Sequence, residues 1–414
     1  MKLKLIFFIF SISIFTSLCG QVTNDSNFEK FAIRQDSLFI LAYEQKDIKT
    51  YNYLLTDFLS RYKKLSASDK KTYSNYLSSA YYNLCCTYSL LNNKPMALEY
   101  LRKSIDAGFI DYSHIRKDTD LENIRSEQEF KEILNKLRII GDYVYILKRG
   151  EKFNNNDKRE IPNFTYQSSN NPNLSILRKA FNLDSIAGTG NDVLKIINLL
   201  HWIHYLIPHD GNHENPVVKN AMSLISECKR DNRGLNCRGI ATVLNESYLA
   251  MGIKSRIVTC LPKDSLKMDD DCHVINMVYS DTLKKWLWID PTNDAYVMNE
   301  KGELLSIEEV RQRIINEEPL ILNPDANWNR KISVIKEEYL YSYMAKNLYM
   351  LECSANSEYN METNEQGKIR TYIRLLPLDY YNQSPDKTEE TDQSTKSNIV
   401  TYKTNNSKLF WQKP

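Results

Sequence analysis

The sequence predicts an α+β protein in which an N-terminal helical array precedes a domain combining helices with an antiparallel sheet. Three observations carry that expectation. From residue 25 to 140, aromatic and aliphatic residues recur at spacings of three and four, as in YNYLLTDFLSRYKKL, and Gly108 is the only glycine between Gln21 and Ile140. From Pro172 to Arg256, amphipathic helical patterns return in NDVLKIINLLHWIHYLI and VVKNAMSLISECK. Three runs rich in branched and aromatic residues then read as strands: SRIVTC, HVINMVYS and KWLWIDPT, with SDTLKK as the hairpin turn between the last two.

A length of 414 residues exceeds one ordinary core and implies two or three domains. The composition is that of a globular chain, 42% apolar and 26% charged. With 54 basic against 52 acidic side chains and no basic block, a nucleic-acid partner is not expected. The opening MKLKLIFFIFSISIFTSLCGQ has a basic start, a short apolar run and small residues after it, the pattern of a secretory signal over residues 1–20. That run is too short to span a bilayer, which needs about 20 apolar residues. The reading is therefore an exported protein, periplasmic or extracellular, with no membrane span. Cys19 raises a lipid-anchored alternative, although the residue before it, Leu18, is larger than that attachment pattern favours. Seven cysteines follow Cys19, an odd and sparse set that is not a disulfide scaffold.

Within the helical region at 25–140, Tyr81, Leu84, Cys85, Tyr88, Ala97, Leu101 and Ser104 fall on a repeating large–small pattern, with Asn92, Asn93 and Pro95 supplying the turn. Two antiparallel helices approach closely only where side chains are small, and Cys85 and Ala97 meet that need. The pattern resembles one tetratricopeptide repeat, and DTDLENIRSEQEFKEIL resembles the end of such arrays in exported bacterial proteins. That resemblance implies a protein partner, or a substrate-positioning role, for the helical region. Residues 141–330 form the second domain, 331–380 an extension expected to pack on it, and 381–414 a mostly disordered tail rich in Ser, Thr, Asp, Glu and Gln. IVTYKT and KLFWQKP could return from the tail as an edge strand.

The chemistry concentrates in three residues. Cys237 begins the helix that follows NRGLN, His273 begins a strand, and Asp290 ends the next strand before Pro291. Antiparallel pairing of those strands would bring His273 and Asp290 together, with the helix packed across them and Cys237 facing both. A helix N-terminus and an imidazolium stabilise a thiolate. The histidine can protonate a leaving amine, and the carboxylate fixes the imidazole's orientation. The segments GLNC, GIKSRIV, HVIN and WLWIDPT, in this order, resemble the transglutaminase-like superfamily, whose fold is papain-like. The resemblance covers about residues 160–325 and implies that Cys237 is the nucleophile, His273 the general acid and base, and Asp290 the orienting carboxylate. Here two residues separate glycine from cysteine, one more than usual, and Ile275 stands where an aromatic is common.

The resemblance implies acyl transfer through a thioester on peptide or protein amide bonds. Peptidase or amidase activity is the leading expectation and glutamine transamidation the alternative; a non-catalytic peptide- or carbohydrate-binding protein is the competing class. Neither a cofactor nor a metal is needed. Family members complete the oxyanion site from the preceding helix, where Trp202 could donate its indole N–H; it reads equally as a core aromatic. His209, in HWIHYLIPHDGNH, reads as lining the substrate cleft, and the spacing of His201, His204, His209 and His213 follows no familiar zinc pattern. If their strands pair, Cys260 and Cys272 either close the LPKDSLKMDDD loop as a disulfide or stand as two free thiols beside the site; Asp269, Asp270 and Asp271 at the loop's tip read as solvated.

Overall fold

A computed structural model describes residues 25–414 apart from 151, 264–271, 379–383 and 385. The expected signal segment with Cys19, and the acidic run Asp269–Asp271, lie outside the described residues. The chain divides into two compact units, one of helices up to Tyr145 and one of mixed helix and sheet from Ile146 onward.

The helical unit is built from antiparallel helices, among them α1 (Asp25–Glu44), α2 (Ile48–Tyr62), α3 (Ser74–Leu90), α4 (Lys94–Asp106) and α5 (Gln128–Gly141). Local chemistry sets their ends. Asp47 accepts the Thr50 N–H to start α2, and Asn93 accepts that of Met96, with Pro95 in the first turn of α4. Asn92, at φ 57°, takes the left-handed turn between α3 and α4. Cys85 and Ala97 are wholly buried in the core that α3 and α4 share, and the Ser104 hydroxyl donates to the Ser78 carbonyl at 3.1 Å. Tyr88 stacks on Tyr100 with centroids 5.5 Å apart. The vicinal pair Cys85–Cys86 is packing, buried beside Asp118, and burial pushes both thiols up.

The second unit is organised around a seven-stranded sheet. Its strands are β1 (Ser255–Leu261), β2 (His273–Ser280), β3 (Lys285–Ile289), β4 (Met350–Ser354), β5 (Ile369–Leu375), β6 (Lys387–Thr391) and β7 (Asn398–Thr404), in the order β6-β7-β5-β4-β1-β2-β3. The β2–β3 pair is antiparallel, as expected, turned by Asp281–Lys284 with Lys284 at φ 54°. The sheet departs from a purely antiparallel one at β5–β7, which run parallel. Among the helices that precede it are α6 (Asp192–Leu206), α7 (Ala221–Asp231) and α8 (Cys237–Ala250). Every residue of α8 from Gly239 to Ala250 is buried, because α6 and α7 pack on one side and β1 and β2 on the other. A helix lined on all sides must carry small or apolar residues throughout, which GIATVLNESYLA largely does. Its polar exceptions are satisfied: Asn245 donates to Ser357 Oγ at 3.0 Å, and Glu246 accepts the backbone N–H groups of Ala221 and Asn360.

Two expectations about the C-terminal part are corrected. The 331–380 extension does not merely pack on the domain but contributes β4 and β5 to its sheet. The 381–414 segment is not mostly disordered: it supplies β6, β7 and the short helix Ser407–Phe410, and IVTYKT lies inside the sheet, with polar β6 as the edge. A charged, exposed strand such as KTEET is what an unpaired sheet edge requires, so its composition imitates disorder. The chain end is then clamped. Buried Arg256 donates to the carbonyls of Phe410 (2.9 Å) and Gln412 (3.0 Å), with its guanidinium 3.5 Å from the Phe164 ring and 4.6 Å from that of Trp286.

Candidate active site

Cys237 is the first residue of α8. Asn236 is the cap, its side chain accepting the Gly239 N–H at 3.2 Å. Asn215 clamps that cap, accepting the Asn236 N–H (3.0 Å) and donating to Asn236 Oδ1 (2.7 Å). The glycine of GLNC has a steric reason. A Cβ on Gly234 would lie 2.4 Å from the Pro208 carbonyl oxygen and 2.8 Å from Asp210 Cβ. Its absence lets Pro208–Asp210 pair with Leu235 as a parallel bridge, through Asp210 N–H to the Leu235 carbonyl and Leu235 N–H to the Pro208 carbonyl. That bridge carries His209 to Cys237.

The thiol packs against Ala241, Ile257, Val274 and Met361, with the His209 and His273 imidazoles beside it. His273 Nε2 lies 2.7 Å from Asp290 Oδ2, leaving Nδ1 toward the sulfur. Asn276 pairs with Ile289, so Asp290 stands diagonally across from His273 on the same sheet face. Asp290 is further fixed by the Thr292 N–H (2.9 Å), the Asn293 N–H (3.3 Å), the Asn293 amide (2.9 Å) and the Tyr339 hydroxyl (2.6 Å). Tyr343 meets the His273 ring edge-on at 5.3 Å. Tyr339 and Tyr343 both belong to a π-helical turn, Tyr339–Met344, a distortion frequent at functional sites.

The electrostatics follow from these contacts. Burial would raise the Cys237 thiol, but the neighbouring His209 and His273 imidazoles, with the charge on His273, outweigh it and hold the group at about 6. Burial disfavours charged His273, yet Asp290 and the thiolate lift it to about 10. Asp290, despite burial, is held at about 2 by His273, Asn293 and Tyr339. Between those limits the low-energy state is a thiolate–imidazolium pair backed by a carboxylate. Such a group can attack a carbonyl carbon and return a proton to the departing nitrogen.

The structure thus brings Cys237, His273, Asp290 and His209 together. It does not bring Trp202, which packs against the helical core with Phe181 at 5.7 Å. No disulfide joins Cys260 and Cys272. Cys260 lies directly opposite His273 in the β1–β2 register, so Cys272 is offset by one position, and alternation along the strand directs it to the other face. The remaining histidines have local duties: His201 pairs with Asp294 at 2.7 Å, His204 bridges Pro291 and Asn327, and exposed His213 pairs with Asp210 at 2.7 Å. Among the described residues no group of three or more His, Cys, Asp or Glu is arranged to hold a metal ion. Likewise, no described helix is long and apolar enough to cross a membrane. Sequence reasoning missed Tyr339, Tyr343 and Trp328. Asn293 alone had a local signal, its place three residues after Asp290.

Half-buried Cys237 at a helix start and buried His273 and Asp290 on two antiparallel strands form a group suited to thiol chemistry, and comparison with known families points the same way. Residues 179–291 match the family model of the transglutaminase-like superfamily, so this part of the chain is similar to a transglutaminase-like domain. That superfamily comprises papain-like cysteine enzymes, generally cysteine peptidases and transglutaminases. Among curated proteins, the chain is 39% identical over 57 residues to a chloroplastic protein of Arabidopsis thaliana, a stretch covering 14% of this chain and 17% of that protein. The chain therefore spans a small part of that relative's length. No solved structure matches it.

Proposed function

We propose that the protein is an exported thiol acyl-transfer enzyme that cleaves peptide or protein amide bonds as a peptidase or amidase, with Cys237 as nucleophile, His273 as acid and base, and Asp290 as the orienting carboxylate. The observation supporting this reading most strongly is the Cys237 thiol at the start of α8 beside His273, whose Nε2 lies 2.7 Å from Asp290. The thiolate attacks the carbonyl carbon, the C–N bond breaks as His273 delivers its proton to nitrogen, and water releases the acid from the thioester. Export rests on the basic–apolar opening of the sequence, and a protein-binding role for the helical unit on its repeat pattern.

The test is digestion of a defined peptide mixture by wild type and Cys237→Ala, read by mass spectrometry. New termini or side-chain deamidation that require Cys237 support the proposal. An identical peptide pattern for both proteins across substrates of all side-chain classes contradicts it.

A further inference from the structure

Two imidazoles flank one thiol, but they are held by opposite kinds of partner. His273 places Nε2 on a carboxylate, which favours a protonated ring. His209 instead receives a hydrogen bond at Nδ1, from the Trp328 indole N–H at 3.4 Å. An indole N–H can only donate, so Nδ1 of His209 carries no proton while that bond stands, and the ring proton is on Nε2. The backbone of His209 is fixed as well: its N–H donates to Asn329 Oδ1 at 2.6 Å, and its carbonyl accepts from Asn329 Nδ2 at 2.9 Å. Trp328 and Asn329 come from one hairpin, Asn327–Trp328 paired with Ile332–Ser333, so a single element sets both the ring and the main chain. With Nδ1 occupied by Trp328, Nε2 is the nitrogen left to meet the Cys237 sulfur.

We propose that His209 is an oxyanion donor through Nε2–H, and that Trp328 is the positioning residue that holds it in that tautomer. The inference rests on the acyl-transfer reading above. An N–H in contact with the attacking sulfur lies within reach of an oxygen two bonds farther on. When Sγ bonds to the carbonyl carbon, the π electrons move onto oxygen. That oxyanion is met by His209 Nε2–H and by the Cys237 N–H, one of the first-turn donors that α8 cannot use itself. On collapse the C=O bond re-forms, the C–N bond breaks, and the proton on His273 goes to nitrogen. His209 keeps its proton throughout. The two imidazoles thus divide the chemistry between them. His273 moves a proton, and His209 lends one without giving it up.

The experiment compares two reactions of Cys237, acylation by p-nitrophenyl acetate, which forms an oxyanion, and alkylation by iodoacetamide, which does not. Both are measured at pH 8.5, about 2.5 units above the expected thiolate midpoint of about 6, where thiolate supply no longer limits. His209→Ala is expected to slow acylation about 100-fold while changing alkylation less than about threefold. His209→Gln, which keeps an N–H donor but cannot act as a base, is expected to recover acylation to within about tenfold of wild type. Glutamine as slow as alanine, or alanine as fast as wild type, would overturn the donor role. For Trp328, the readout is the ring ¹⁵N signature of His209. Wild type should show the Nε2–H tautomer and Trp328→Phe a shift toward the other; Nδ1–H in wild type, or no change in the variant, would overturn the positioning role. If wild-type Cys237 lacks a depressed alkylation midpoint, the acyl-transfer reading itself falls, a result separable from the failure of His209 alone.

Discussion

The Tyr339 hydroxyl donates to Asp290 Oδ2 at 2.6 Å, joining a π-helical turn to a carboxylate 49 residues earlier in the chain. Asp290 therefore receives donors from its own turn, from His273 and from the C-terminal part, and its orientation is a property of the whole second unit. Tyr339→Phe keeps the ring and removes one donor. It should lower Cys237 acylation by p-nitrophenyl acetate about fivefold, the effect of one hydrogen bond worth about 1 kcal/mol. Asp290→Asn should cost far more, about 10³-fold or greater, because an amide facing Nε2 imposes the wrong His273 tautomer. Similar losses for the two variants would show that Tyr339 is indispensable rather than supporting.

Gly234 is required by contact rather than by backbone conformation. Gly234→Ala puts a methyl 2.4 Å from the Pro208 carbonyl oxygen, and the His209 segment must move. The expected result is a loss of about 1–3 kcal/mol in denaturant unfolding, together with a higher alkylation midpoint for Cys237, since His209 helps stabilise the thiolate. A destabilised protein with an unchanged midpoint would mean that the His209 contact survives the displacement.

How much of this could be read in the sequence depends on distance along the chain. The strands SRIVTC, HVINMVYS and KWLWID, the hairpin between the last two and the Cys237 helix all announced themselves through local pattern, and the three proposed catalytic residues lie at their ends. The sequence reads the His209 segment as a cleft-lining or merely polar loop, but the reason for the glycine in GLNC was invisible, because it lies in Pro208 and Asp210. Tyr339 and Trp328 had no local signal; they matter only through contacts with Asp290 and His209 across the fold. The polar tail misled for a different reason, since an exposed edge strand and a disordered segment draw on the same residues.

That tail is structural, and its removal tests the correction. Deleting residues 409–414 takes away both carbonyls that Arg256 uses, at Phe410 and Gln412, as well as Trp286's acceptors on Trp411 and Gln412. A buried guanidinium that loses both carbonyl acceptors and keeps only the Tyr166 hydroxyl at Nε (2.5 Å) is costly, and the expected loss is about 3 kcal/mol or more. Unfolding that matches the full-length protein would return the tail to a passive role.

Glu246 gives the fold a pH dependence of its own. Burial raises its carboxyl to about 8, although the Ala221 and Asn360 N–H groups pull it back. The unfolded chain titrates near pH 4.3. A raised folded value means that the group's stabilising contribution is complete below about pH 4.3 and is lost as the pH rises through 8. Relative to wild type, Glu246→Gln should flatten stability over that window. It should also be less stable at pH 5 by about 1–2 kcal/mol, because its amide turns a donor toward one of the two N–H groups. A difference between wild type and variant that does not change with pH would show that Glu246 is already ionised in the fold.

The central claim is that Cys237 is a thiolate nucleophile paired with His273. Its most direct test is the pH dependence of iodoacetamide alkylation at Cys237, mapped by mass spectrometry, in wild type and His273→Ala. The account predicts a wild-type midpoint near 6, moved upward in the variant as the imidazolium is lost. A wild-type midpoint at the ordinary thiol value of about 8.5, unmoved by the substitution, would contradict it.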